Sequence, residues 1–341
     1  MRKPIKISNV MTKNHPKNNF KSIMINIIEE VKDAGSIGIS GHVRPDGDCV
    51  GSCLGLYLYL KKVYPEKEID IYLEHPGNCF AGIPAIDDVK TTAPVGKVYD
   101  IFILLDTVPN RLGDFEELFN SAKKTINIDH HVSNKDGSGD VNYIVPGASS
   151  TGELIYNLTE KQFMDRDVAT LLYMAVAHDT GVFRFSNTTA DTMRCAADLI
   201  GYGFDFSDLL DKTFFEKTYL QNKVQGHVVI DSKLYFDGKL IVGVATGEFM
   251  NKYGATTDDF DGVVNQLLLT QGVLSAVFIY EKKPGVLKFS MRSKTDDVNV
   301  SSVSVSMGGG GHVRAAGFDY NGDLTEGMNK VIELIGKQIN V

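Results

Sequence analysis

Apolar residues in this chain come in short blocks whose spacing switches repeatedly between the period of a helix and that of a strand. Phe20 to Val31 places Ile23, Ile25, Ile27, Ile28 and Val31 at helical intervals, and Ser36 to Ser40 alternates like a half-buried strand. Val50 to Val63 reads as a helix ending before Pro65, and Glu68 to Leu73 as a strand. Tyr99 to Leu105 is almost continuously apolar, the texture of a strand covered on both faces. A short helix over Phe115 to Ala122 and a strand over Thr125 to Ile128 follow. Ser150-Thr151-Gly152-Glu153 has the form of a capping box before Leu154 to Leu158. Asp165-Arg166-Asp167 opens a helix over Val168 to Ala177, which His178-Asp179-Thr180-Gly181 ends. Ala190 to Ile200 is another helix, closed by Gly201 and Gly203.

This alternation predicts an α/β fold whose first part is a mostly parallel sheet flanked by helices. A polar helical stretch over Asp205 to Lys223 then reads as a connection. From His227 the texture changes to strands over Val228 to Ile230, Lys233 to Phe236, Leu240 to Ala245, Val273 to Tyr280 and Val286 to Met291. Asp237-Gly238 and Pro284-Gly285 supply turns, Asp261 to Leu269 a helix, and Leu324 to Ile339 a closing helix. The expected organisation is a first domain over residues 1–200, a helical linker over 201–225 and a smaller mixed-sheet α/β domain over 226–341.

Ligands of parallel sheets bind outside the carboxyl ends of the strands. Polar groups suited to metals sit at several such ends: His42, Asp46 and Asp48; Asp106; Asp129-His130-His131; and Asp179 after a helix. Singly, each has an ordinary explanation as a cap, a turn or a satisfied core residue. Together, at loop positions of one domain, they point to a metal centre. Asp46, Asp48, Asp106 and Asp179 carry four negative charges, which two divalent cations would neutralise. Mixed carboxylate and imidazole donors suit manganese, with magnesium or cobalt as alternatives. Such a pair of metals can activate a bridging hydroxide for attack on phosphorus. Gly47 supplies backbone freedom in this reading, and Gly51 and Ser52 open the next helix with N–H groups facing an anion.

Composition narrows the picture. The chain has 341 residues, 43% of them apolar, and a formal net charge of −8. That balance disfavours capture of a long polyanion and leaves room for a short anionic substrate in a local basic pocket. Cys49, Cys53, Cys79 and Cys195 form no C-x-x-C pair and read as free thiols in a reducing compartment. The basic N-terminal residues, Met1 to Lys17, lack a following apolar core and read as a solvated arm, not a signal. With no stretch approaching a membrane span, a cytoplasmic protein without a membrane partner is expected.

The residues resemble the DHH phosphoesterase family, named for the triplet found here at Asp129-His130-His131. His42-x-x-Pro45-Asp46-x-Asp48-x-x-Gly51-Ser52 is similar to its first motif, Asp106-Thr107 to its second and His178-Asp179-Thr180-Gly181 to its fourth. Met307-Gly308-Gly309-Gly310-Gly311-His312-x-x-Ala315-Ala316-Gly317 is similar to the signature of the DHH-associated C-terminal domain. The resemblance implies one metal on His42, Asp46 and Asp106, and a second on Asp48, Asp106, His130 and Asp179, with Asp106 bridging. It further implies that His131 contacts the reacting phosphate while Asp129 orients its neighbours.

The glycine run also reads physically as an anion nest of backbone N–H groups. His312, Arg314 and Arg292 add donors suited to phosphate, and Arg111 and Arg184 are candidates for the same cleft between the domains. With Gly309, Gly310 and Gly311, these form the expected substrate-binding set. The short form of the family implies a cytoplasmic enzyme for very short RNAs and 3′-phosphoadenosine 5′-phosphate; relatives act on pApA or cyclic di-AMP. The expectation is a manganese-dependent hydrolase of short nucleotides, with no long duplex partner and a homodimer left open. A RecJ-type single-strand exonuclease and a non-catalytic nucleotide sensor are the alternatives. The first would need a basic groove with stacking aromatics, and the chain has no Trp.

Overall fold

A computed structural model describes residues 25–339. The expected arm and the start of the first expected helix lie outside the described residues. The chain divides into two compact units, residues 1–216 and 217–341.

The first unit runs α1 (Ile27–Val31), β1 (Ser36–Ser40), α2 (Gly47–Val63), β2 (Glu68–Tyr72), β3 (Ile101–Leu105), α3 (Glu116–Asn120), β4 (Lys124–Asp129) and β5 (Val141–Ile144). It continues with α4 (Thr151–Leu158), α5 (Arg166–Asp179), α6 (Ala190–Ile200) and α7 (Phe206–Leu210). The five strands are all parallel in the order β2-β1-β3-β4-β5. Every residue of β3 is buried, because alternate side chains enter different cores. Ile101, Ile103 and Leu105 join α2, α4 and α5, while Phe102 and Leu104 meet Tyr72, Tyr99, Phe115 and Phe119 on the opposite face. The order reverses between β1 and β3, so their carboxyl ends splay apart into the crevice where such sheets bind ligands.

The predicted strands match these closely, but several details differ. α2 begins at Gly47, capped by Asp46, whose side chain accepts from Asp48 N and Cys49 N. Gly51 and Ser52 therefore lie inside the helix and present no free N–H to an anion. A Cβ on Gly51 would stand 2.5 Å from Leu171 O on α5, so glycine is there to let the two helices touch. The α4 cap is Ser150, as its position suggests. The Glu153 side chain, however, turns to Ser149 and Thr192 instead of closing a capping box. β5, an edge strand with one buried side chain, was not anticipated.

The second unit runs α8 (Tyr219–Asp231), β6 (Lys233–Tyr235), β7 (Leu240–Ala245), α9 (Gly247–Tyr253), α10 (Val263–Leu268), β8 (Ser275–Lys283), β9 (Val286–Ser293), α11 (Val300–Ser306), β10 (Gly310–His312), β11 (Ala315–Tyr320) and α12 (Leu324–Gly336). Its mixed sheet has the order β10-β11-β9-β8-β7-β6, with β7 and β8 parallel and the remaining pairs antiparallel. The single polar helix expected over Asp205 to Lys223 is broken after Phe215, and a Thr218–Gln221 capping box starts α8. Val228 to Ile230, expected as a strand, belongs to α8, where Val224 and Val228 bury four residues apart.

Candidate metal centre

The crevice at the carboxyl ends of β1, β3 and β4 collects the polar groups singled out in the sequence. His42 follows β1, Asp106 follows β3, and Asp129 to His131 close β4. Asp48 enters from the first turn of α2 and Asp179 from the last residue of α5. Three overlapping sets have donor atoms within 4.8 Å of one another: His42, Asp46 and Asp106; Asp106, His130 and His131; and Asp48, His130 and Asp179. Asp106 is common to two of them and adopts a left-handed backbone with φ +61°. That conformation is uncommon outside glycine, although Asp tolerates it better than most residues.

Each imidazole is held through Nδ1. His42 Nδ1 lies 2.9 Å from Val43 O, a contact in which it donates; its Nε2 sits 3.5 Å from Asp106 and 3.7 Å from Asp46. His130 Nδ1 faces Ala148 O at 3.3 Å. Its buried Nε2 has no hydrogen-bond partner and stands 3.5 Å from Asp106, 3.6 Å from Asp179 and 3.7 Å from Asp48. A buried ring nitrogen without a partner is costly in a finished core. Ringed by carboxylates beyond hydrogen-bond range, it has the arrangement of a cation ligand whose other nitrogen fixes the tautomer.

Asp129 is fully buried. Its Oδ1 accepts from His131 N at 3.0 Å and His131 Nδ1 at 2.8 Å, and its Oδ2 accepts from Asn134 at 2.7 Å. Asn134 also donates to Asn127, which donates to the carbonyls of Leu104 and Thr107. A polar stem thus runs beneath the triplet and fixes the His131 ring, which is about one-third exposed at the mouth.

Asp48 is seated by α4. Thr151 N donates to its Oδ2 at 2.8 Å and Gly152 N to its Oδ1 at 2.9 Å, while the Thr151 hydroxyl donates to Asp106 at 3.0 Å. Two backbone N–H groups at a helix N-terminus favour a carboxylate there. The approach is close: a Cβ on Gly152 would lie 2.4 Å from Ala175 Cβ. Gly47 serves a similar purpose with ordinary φ, since its Cβ would meet the His178 ring at 2.1 Å. His178 itself turns away from the cluster, between Phe80 and Phe214, with Nε2 3.0 Å from the Thr213 hydroxyl. On the outer side, Asn187 donates to the Asp179 carboxylate at 3.2 Å and to Ser149 O at 2.9 Å. Thr151, Gly152, Asn134 and Asn187 were not recognised in advance; the Ser150 cap was the one visible trace of this arrangement.

The electrostatics report crowding. Burial pushes the Asp48 carboxyl well above its usual range, and repulsion from Asp106 and Asp179 adds to this. Burial likewise raises Asp179 to about 6, with His130 opposing the rise and Asp106 reinforcing it. Burial works against a charged His42, but Asp106 and Asp46 outweigh it and carry the imidazole to about 11. Loss of solvent raises Asp46 too, yet His42 draws it down to about 2. So many carboxylates in one volume call for added positive charge, and the mixed nitrogen and oxygen donors fit divalent cations.

The remaining candidates are distributed. Arg111 and Arg184 are exposed in the first unit, and Arg111 O accepts from Val43 N at 2.8 Å, tying the loop after β1 to the loop after β3. In the second unit, Ala276, Arg292, Ala315 and His312 are directly opposed across β8, β9, β11 and β10. Opposed residues share a sheet face, so Arg292 and His312 project together, separated only by an alanine. Burial lowers the Arg292 pKa, with Asp261 opposing. Arg314 is engaged elsewhere, donating to Asp296 at 2.7 Å. The amide of Gly309 is taken by Ser304 O at 2.8 Å, and Gly310 and Gly311 lie in β10. The glycines therefore form a tight hairpin edge in addition to any nest.

Residues 36–176 match the DHH family, N-terminal domain, and residues 237–340 the DHHA1 domain. The chain is similar to the bifunctional oligoribonuclease and PAP phosphatase NrnA of Thermus thermophilus, with 31% identity across 92% of this chain and 94% of that protein. Identity to the Bacillus subtilis protein of the same name is 29%, across 92% of this chain and 98% of the relative. The fold is shared with an exopolyphosphatase-related protein of Bacteroides fragilis, at a TM-score of 0.83 and 23% identity, covering 91% of this chain and 94% of that one.

Proposed function

This chain belongs to the DHH family of phosphoesterases, and on that premise we propose that it hydrolyses short oligoribonucleotides and 3′-phosphoadenosine 5′-phosphate with the help of two divalent cations, manganese being the best match. The observation that carries the reading is the buried, unpartnered Nε2 of His130 among Asp48, Asp106 and Asp179. His42, Asp46 and Asp106 would hold one cation, and Asp48, Asp106, His130 and Asp179 the other. The cations supply Lewis-acid neutralisation of phosphoryl charge and a water made acidic enough to attack.

The protein groups divide the remaining work. His131, its Nδ1 fixed by Asp129, presents its other nitrogen at the mouth to a phosphoryl oxygen and stabilises charge as the P–O bond breaks. Because Asp129 and Asn134 set the ring in advance, little reorganisation accompanies the reaction. The Arg292 and His312 row grips an anionic group of the nucleotide, a planar fork beside a ring donor. Arg111 and Arg184 are assigned supporting contacts with substrate phosphate. The acidic whole-chain balance suits a substrate of a few nucleotides held by such local donors.

The test is hydrolysis of a labelled diribonucleotide by purified protein, first stripped with chelator and then supplied with manganese, magnesium or cobalt. Turnover restored by metal is expected, with adenosine bisphosphate, pApA and cyclic di-AMP ranked in the same assay. Tight nucleotide binding with no turnover under any metal would make the protein a sensor instead.

A further inference from the structure

The metal centre is open at Asp46, which is exposed beside His42, and again at Asp179 and His131. Asp48 and Asp106 are almost fully buried, whereas Asp179 and His131 are each about one-third exposed. The chain leaving Asp179 borders the second opening and follows an unusual path. Gly181, Val182 and Phe183 have φ values of +56°, +55° and +63°, three consecutive left-handed residues of which one is β-branched and one aromatic. Such backbone is unfavourable for both and persists only where the surroundings hold it.

Here Thr180 is the anchor. Its hydroxyl donates to Val176 O at 2.7 Å and accepts from Phe183 N at 3.0 Å. Its carbonyl accepts from Arg184 N and Phe185 N, each at 2.9 Å, while Val182 N reaches back to Ala177 O at 2.7 Å. Beyond the turn, Asn187 returns to the Asp179 carboxylate.

The product of this strained turn is the placement of Phe185. Val182 and Phe183 pack against the core, but Phe185 is 55% exposed. The far edge of its ring rests on Gly181, where any Cβ would come within 2.4 Å of Cζ. One edge of the ring therefore lies over the segment that follows Asp179 while the rest faces solvent. The ring thus packs on Gly181, two residues after Asp179, and still presents about half of its surface.

We propose that Phe185 is a specificity-determining residue whose ring stacks on a nucleobase of the substrate, so that the site distinguishes nucleotides from other phosphoesters. This rests on the proposed nucleotide phosphoesterase reading and deepens it. Stacking is tolerant of base identity because every base has a π face, which suits an enzyme that clears short RNAs of any sequence. The strained turn holds the ring over Gly181, next to the segment that carries Asp179.

The experiment compares pApA with an analogue of the same phosphodiester lacking the base next to the scissile bond. In Phe185→Ala the ratio of kcat/KM values, dinucleotide over abasic analogue, is expected to fall about tenfold, chiefly through KM. In Phe185→Trp the ratio is expected to stay near that of the parent. Because the protein has no Trp, that variant also carries a unique fluorophore. Its emission should change on titration with pApA in chelator, where no turnover occurs, and stay unchanged with the abasic analogue. An unaltered ratio in Phe185→Ala, or the same emission response to both ligands, overturns the proposal. Absence of parental turnover on either substrate would instead remove the enzymatic reading, and the emission titration would still decide whether the ring meets a base.

Discussion

Asp106 combines a left-handed backbone, near-complete burial and a carboxylate shared by two ligand sets. Asp106→Asn keeps its shape and removes its charge. Dinucleotide turnover is expected to fall by about 10³-fold or more, and calorimetric metal stoichiometry to drop, since both sets lose an anionic donor. Retained turnover with full stoichiometry would contradict the shared-ligand assignment. Thr151 makes a finer case. Its hydroxyl orients Asp106 while its N–H holds Asp48, and only the hydroxyl is lost in Thr151→Val. Metal affinity measured by calorimetry should weaken about 10- to 100-fold in Thr151→Val and recover to within a few-fold in Thr151→Ser. Equal affinities in the two variants would leave the hydroxyl with no positioning role.

Elements matter here through where they end and how closely they approach. The α2–α5 contact brings Asp48 and Asp179 into one crevice, and Gly51, with Gly47 and Gly55, is one of three α2 glycines at which an added Cβ would collide with α5. Gly51→Ala is expected to cost about 1–3 kcal/mol through overpacking against the Leu171 carbonyl, read as a lower denaturant midpoint with unchanged slope. Gly147→Ala, with nothing within 4 Å of its added carbon, is the comparison and should be near neutral. A Gly51→Ala midpoint equal to that of Gly147→Ala would mean that the helices can simply separate. The strands feeding the crevice were legible because each is a compact apolar run ending in a polar residue. Other segments lack that contrast. Val300 to Ser306, for which the sequence suggested no element, forms a helix that buries Val300 and Val303 three residues apart. Val228 to Ile230 is β-branched and still helical, because α8 has a cap and a buried seam. In both, tertiary burial overrode local propensity.

At the scale of the whole chain, the two units should respond differently to chelation. Cations that bind only the folded first unit stabilise it by linkage, about 2.7 kcal/mol at a hundredfold excess over Kd. Hydrogen exchange with manganese and with chelator is therefore expected to lose protection around residues 36–48, 101–106, 124–131 and 176–187. The second sheet, over 233–245 and 275–320, should be unchanged. Loss confined to the second sheet would move the metal site out of the first unit.

Covalent order alone placed His42, Asp106 and Asp129 to His131 at one edge of a sheet, since a residue that follows a parallel strand must emerge at its carboxyl end. Periodicity was enough for that, and the spacing of the motifs was enough to suggest the family. Packing decided the rest. Thr151 reaches Asp48 across a separation of 103 residues, and Arg292 and His312 fall on one sheet face only through the register of β9, β11 and β10. Such contacts depend on where helices touch and how strands align, quantities set by the filled core and carried by no local pattern of residues. The turn that folds Phe185 back over Gly181 belongs with them, because its left-handed path is dictated by hydrogen bonds to the end of α5 against the preference of Val182 and Phe183 themselves.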